Sequence, residues 1–152
     1  ILGLRYEIIQ DIEFSFVGRS VFVKEKEGQY DEAQAYQSDF LMSFQSSYPS
    51  KQTVYRVLYN LRFDYSSYNF FVGYDSQNYE QLDDLEILNI SAPKAVRFIS
   101  SGIDRDLIPD IKLIIYNEWQ KNDFVADLIC EMEYVIEHAN GKVDFFYIVS
   151  IK

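Results

Sequence analysis

The sequence predicts an α+β fold: a tandem pseudo-twofold repeat of β-α-β-β units forming an antiparallel sheet, with two main helices and a cleft between the halves. Three observations predict it. The order strand, helix, strand, strand can be read twice along the 152 residues. Short peptides recur at one spacing, with Asn69-Phe70-Phe71-Val72 answering to Asp144-Phe145-Phe146-Tyr147 and Val54 to Ile129. Each half also closes on a hairpin, the second marked by an Asn140-Gly141 turn, the strongest short-range hairpin signal in the chain.

The first repeat is expected over about residues 5–76. RYEIIQDIEFSFVGRSVFVKE reads as two extended segments, because Phe14, Phe16 and Gly18 alternate with Ser15 and Val17, and Val21, Phe22 and Val23 keep the β-prone composition. A helix is expected from about Tyr30–Asp31 to just before Pro49. There Ala33, Tyr36, Phe40 and Phe44 follow the three-to-four spacing of a buried stripe. VYRVLYNLRFD then reads as a strand with Tyr55, Val57, Tyr59, Leu61 and Phe63 on one face. Arg56, Leu58, Asn60 and Arg62 occupy the other. A Ser/Tyr-rich turn leads into NFFVGYDS, the partner strand of a hairpin.

An acidic connector, SQNYEQLDDLE, leads to the second repeat, about residues 85–152. LEILNISAPKAVRFISSG supplies one or two extended segments. DRDLIPDIKLIIYNEWQKN supplies a helix with Pro109 in its first turn and Leu107, Ile111, Ile114, Ile115 and Trp119 on its buried side. DLICEMEYVIEH and VDFFYIVSIK form the closing hairpin. Residues 1–152 are expected to act as one domain, long enough to bury a core without disulfides. Position 1 is Ile rather than Met, which suggests a piece of a longer protein.

Composition removes several functions. Net charge is −10, from 24 acidic and 14 basic residues, with no local basic cluster, so direct nucleic-acid binding is not expected. No apolar run reaches the roughly 18 residues of a membrane span, and the opening residues lack signal-peptide features. The single Cys130 fits a reducing cytoplasm. No phosphate-binding glycine loop is present, and the lone His138 cannot build a zinc cluster, so neither cofactor nor metal is expected. A Cys130–His138 nucleophile pair fails, since eight residues along a strand span about 26 Å. Asp83-Asp84-Leu85-Glu86 lacks calcium-loop spacing and reads as solvated connector. The feature left over is aromatic: 13 Tyr and 12 Phe against one Trp. Phenylalanine is expected in a core, but thirteen tyrosines, each an apolar ring with a polar tip, suit either sheet surfaces or a partly polar cavity.

The carboxylates of LICEMEYVIEH stand out. Alternation projects Glu131 and Glu133 to one face, and Cys130, Met132, Tyr134 and Ile136 to the other. Two like charges in succession on a central strand repel. One reading makes them solvated decoration, relieved by cross-strand Arg56 or Arg62. The other places at least one in an aromatic-walled cavity, where a partly desolvated carboxylate attracts a cationic ligand. Trp119 has the same two readings, core or ligand wall.

These residues carry a resemblance. The helix ending in Trp119, the CEMEYV strand, the terminal FYIVSIK and the opening YEIIQDIEFSFVGRSVFV are similar to GyrI-like effector-binding domains. Such domains occur at the C-terminus of AraC/Rob-type and multidrug-responsive transcription regulators, and alone, some from integron cassettes. The resemblance implies a cleft between two halves that binds a small hydrophobic, often cationic molecule. A strand glutamate, Glu133 or, at a register two residues different, Glu131, would anchor it. Trp119 and Tyr134 would serve as walls, with Tyr59, Tyr116 and Tyr147 added from their positions on strands or the helix. SSGIDRDLIPD lacks the Gly-Pro-Tyr-like stretch of many relatives, which leaves that wall undefined. A sensor of this kind would have its DNA-binding domain elsewhere in the full-length chain. Two other classes stay open: a GyrI-like hydrolase acting on a small electrophile, and an acidic protein-interaction or inhibitor module.

Overall fold

The computed structural model describes residues 3–79 and 83–152, so residues 80–82 of the acidic connector and the first two residues lie outside the described residues. Strand β1 (Leu4–Lys24) leads to helix α1 (Tyr30–Ser47), then to the hairpin β2 (Tyr55–Tyr59) and β3 (Ser67–Asp75). The order recurs as β4 (Glu86–Ile103), α2 (Ile108–Lys121), β5 (Ala126–Glu137) and β6 (Val143–Ile151). All pairings are antiparallel, in the spatial order β1-β3-β2-β5-β6-β4, and β1 pairing with β4 closes the sheet into a barrel. The α+β class and its two helices are as the sequence predicts; the closure is an addition.

Closure comes from two long strands that the sequence reading divides. RYEIIQDIEFSFVGRSVFVKE is one strand, not two: its first part pairs with β4 and its second with β3. The β1–β4 ladder is interrupted only where Asp11, in left-handed backbone (φ 51), stands opposite Pro93, which has no N–H to donate. In the other direction, β2 is shorter than its alternating pattern suggests. Asn60 takes a left-handed conformation (φ 52) and ends the strand after Tyr59. Leu61 then turns into the core beneath α1, while Phe63 is 77% exposed. Local backbone chemistry at one Asn overrides a hydrophobic period that runs on through Phe63.

The sheet has two faces with different contents. The inner one holds Phe16, Val57, Phe71, Met132 and Ile148. Gly18 lies opposite Gly73 there, and a Cβ on Gly18 would come within 2.0 Å of the Val72 carbonyl oxygen. Only glycine permits that approach, which also lets the Phe71 ring lie over the pair. On the outer face, α1 packs Ala33, Phe40 and Phe44 against Val17, Phe70, Val72 and Tyr74. Tyr36, expected in the buried stripe of α1, is 47% exposed, and Gln37 is buried beside it, donating to the Tyr68 hydroxyl at 2.7 Å. Helix α2 covers Val96, Phe98, Phe145 and Val149 with Ile111 and Ile115. Strands β2 and β5 run between these two helix-covered regions, so their outward residues line a strip with a helix on each side.

The internal spacing needs one adjustment. Val72 stands opposite Arg56 in the first hairpin. At the spacing read from the sequence, their counterparts Tyr147 and Glu131 should face each other. Tyr147 instead stands opposite Glu133, and Glu131 opposite Val149. One strand of the second hairpin is therefore displaced by two residues, a shift that preserves which side chains face outward.

Candidate functional site

The outward residues of the central strip are Arg56 and Leu58 on β2, and Glu131 and Glu133 on β5. Arg56 is paired with Glu133 and Leu58 with Glu131. From β6, Tyr147 comes alongside Glu133 and Val149 alongside Glu131. The repulsion between two successive carboxylates is thus met by a different neighbour on each.

Glu133 is held by cations. Its Oε1 accepts a hydrogen bond from Lys112 Nζ on α2 at 2.9 Å and lies 3.8 Å from an Arg56 terminal nitrogen. The Arg56 guanidinium also sits 5.8 Å from the centre of the Phe70 ring, and its buried Nε has no hydrogen-bond partner among the described residues. The Glu133 side chain is 17% exposed.

Glu131 is held by phenols. Tyr65 donates to its Oε1 and Tyr147 to its Oε2, both at 3.0 Å. Among the described residues, no basic group forms an ion pair with it. Burial pushes the Glu131 carboxyl above the usual carboxylate range and the Glu133 charge adds to this, while the two phenol hydrogen bonds pull it back. Burial and the Glu131 charge likewise push both phenols upward, so at neutral pH they keep their protons and donate.

Tyr65 reaches Glu131 from the β2–β3 turn. That turn is braced by the Tyr65 amide on the Arg62 carbonyl (2.9 Å) and by Ser66 on the Asp64 carboxylate. Tyr65 has φ 59, an uncommon conformation for a bulky aromatic residue, and is 38% exposed. It also borders a hollow of about 730 Å³ lined by Lys24, Lys26, Tyr30 and Arg62, so the hollow and the carboxylate share this one side chain.

The structure brings Glu131, Glu133 and Tyr147 together. Tyr134 and Tyr59 lie on the opposite, inner face, where Tyr134 stacks on Phe146 and meets a tilted Tyr55 ring, with ring centres 4.7 Å apart in each case. The two-residue alternation of β5 requires this, because Tyr134 cannot share a face with Glu133. Trp119 packs on Phe124 at 5.4 Å within the core under α2. Tyr116 is exposed on α2, one turn beyond Lys112, with its hydroxyl accepting from Gln120 at 2.7 Å. The sequence reading missed Tyr65, whose turn has no periodicity, and Lys112, one polar residue within an otherwise apolar helix segment.

Other reactive groups are occupied elsewhere. Cys130 is buried, its thiol pushed up to about 12 chiefly by desolvation. His138 is partly exposed and pairs with Asp144 at 2.9 Å. Among the described residues there is no cluster of His, Cys, Asp and Glu able to hold a metal ion, and no helix long and apolar enough to cross a membrane.

No family model and no curated protein matches the sequence. Solved structures do. The integron cassette protein VCH_CASS2, from the mobile metagenome of Vibrio cholerae, matches with a TM-score of 0.67 at 14% identity, covering 99% of this chain and 96% of that one. SAV2435 bound to tetraphenylphosphonium matches with a TM-score of 0.67 at 10% identity, over 97% of this chain and 94% of that one. A candidate transcription-regulation protein from Staphylococcus aureus MU50 gives 0.66 at 10% identity, over 99% of each chain. At such identities the likeness establishes the shared fold, which is consistent with the GyrI-like effector-binding architecture that the sequence resembles.

Proposed function

We propose that this chain is an effector-binding domain that takes a lipophilic cation, with Glu131 as the anchor. The observation that carries this reading is the contrast in partners: Glu131 is desolvated, held by neutral phenols and paired with no protein cation among the described residues. A carboxylate in that state gains most from a ligand that brings its own positive charge. Tyr147, partly buried, stays as a donor on Oε2. Tyr65, exposed and in strained backbone, is the phenol that gives way to the ligand. SAV2435, which shares the fold, is seen with tetraphenylphosphonium, a cation of this class. In the full-length protein such a domain would act in the cytoplasm on a DNA-binding part elsewhere in the chain, in keeping with its own acidity.

The test is titration with tetraphenylphosphonium and with neutral triphenylphosphine oxide, read by Trp119 fluorescence and by calorimetry. The cation should bind and the neutral compound should bind at least tenfold more weakly, with the difference collapsing in Glu131→Gln. Equal binding of both compounds would show that charge at Glu131 plays no part.

A further inference from the structure

Glu133 is the more heavily charged part of the same strip, yet it is the carboxylate already satisfied. Lys112 reaches it from α2 at 2.9 Å, and Arg56 approaches from β2 at 3.8 Å. The two cations differ in how firmly they are fixed. Arg56 is anchored by its strand position opposite Glu133 and by the Phe70 ring beneath it. Lys112 is 38% exposed at the end of a flexible stem, with Glu133 as its ion-pair partner. Four charged groups therefore share the strip. With Glu131 ionised, the carboxylates of Glu131 and Glu133 balance the cations of Arg56 and Lys112. One incoming positive charge finds at Glu131 a carboxylate that no protein cation among the described residues pairs with. A second incoming charge meets a carboxylate that two protein cations already occupy.

We propose that Lys112 sets the number of charges the site accepts: it acts as a built-in cation on Glu133, so the site binds monocations and rejects dications. This rests on Glu131 being the ligand anchor and extends that reading to specificity. Repulsion of the wrong ligand, rather than extra attraction for the right one, produces the discrimination. Glu131 and Glu133 lie two residues apart on one strand face, about 7 Å along the chain. Without Lys112, Glu133 keeps only the more distant Arg56 at 3.8 Å, and the two carboxylates stand at a spacing that suits a rigid dication.

Two probes of matched shape test this: methyl viologen, a bipyridinium dication, and N-methyl-phenylpyridinium, its monocationic analogue. Affinities are measured by calorimetry for the wild-type chain, Lys112→Met and Lys112→Arg. The dication-to-monocation affinity ratio should rise at least tenfold in Lys112→Met and stay within about threefold of wild type in Lys112→Arg, which keeps the charge. A ratio that fails to rise in Lys112→Met, while the monocation still binds through Glu131, overturns the proposal and leaves the anchor reading intact. A ratio that rises equally in both variants also overturns it, because loss of packing would then be responsible rather than loss of charge. A wild-type chain that binds the monocation no better than Glu131→Gln does removes the anchor reading and this proposal together.

Discussion

Glu131 and Glu133 are the same residue type, two positions apart on one face of β5, and the fold treats them in opposite ways. Glu133 is compensated within the protein, by an ammonium from α2 and a guanidinium from β2. Among the described residues, Glu131 is compensated only by hydrogen-bond donors, from a turn and from β6. Pairing register explains part of the difference, since Arg56 falls beside Glu133 and Leu58 beside Glu131; Lys112 comes from α2, Tyr65 from a turn, and Tyr147, opposite Glu133, reaches along the strand to Glu131. The pair shows that a carboxylate's surroundings are set jointly by the flanking strand, the helix and the turn that reach it. One is an ion-pair hub, and the other has no ion pair among the described residues, the state that the proposed anchor role requires.

The comparison can be broken most forcefully at Glu133. Glu133→Gln leaves Arg56 and Lys112 without their carboxylate, and Arg56 already has an unpartnered buried Nε. We expect a loss of about 2 kcal/mol in urea denaturation, below the value for a fully buried pair because these side chains keep some water. Glu131→Gln keeps one oxygen acceptor and turns the other into an NH2 donor, to which the second phenol must accept instead of donate, so it should cost less, at most about 1 kcal/mol at neutral pH. Equal losses in the two variants would mean that the asymmetry has no energetic content.

Next in size is the ligand effect. Glu131→Gln should lower tetraphenylphosphonium affinity at least tenfold, about 1.4 kcal/mol, in a fluorescence titration. Smaller still is the effect of the phenols. Tyr147→Phe, which removes a donor from a partly buried carboxylate, should cost about 1 kcal/mol of stability. Tyr65→Phe should cost less, because its ring is exposed and its backbone is strained. A larger loss at Tyr65 than at Tyr147 would show that the turn, not β6, carries the support of Glu131.

The smallest expected effect is on the pH dependence of stability. Folding raises the Glu131 carboxyl above its ordinary value of 4.5, so the folded chain holds that proton to higher pH than the unfolded chain does. The stabilisation from this is fully present below that ordinary value and is lost as pH rises through the raised one. Wild type should therefore lose stability relative to Glu131→Gln as pH climbs upward from about 4.5, a trend that thermal melts at a series of pH values would record. A constant difference across that window would contradict the burial of Glu131.

Much of this arrangement is legible in the sequence. Alternation along CEMEYV places both carboxylates on one face, and Arg56 or Arg62 can be named as a cross-strand partner; Arg56 pairs with Glu133, while Arg62 pairs with Asp64. The helices are found by their apolar stripes, and the closing hairpin by Asn140-Gly141, whose glycine takes φ 83. The rest depends on information that periodicity does not contain. Barrel closure needs the long-range β1–β4 ladder, which leaves no local mark. The end of β2 depends on one left-handed Asn60 within an unbroken apolar alternation. Tyr65 comes from a turn, and its place over Glu131 is fixed only by the way that turn folds back. Tyr59 and Tyr134 are a different case, since the alternation that singles out Glu131 and Glu133 sets Tyr134 on the opposite face.

Whether Glu131 rather than Glu133 receives the ligand's charge is decided by the pH dependence of tetraphenylphosphonium affinity. The cation competes with the Glu131 proton, so wild-type affinity should rise with pH through the raised Glu131 value and then level off. The rise should persist in Glu133→Gln and vanish in Glu131→Gln. A rise that survives in Glu131→Gln and disappears in Glu133→Gln would contradict the account.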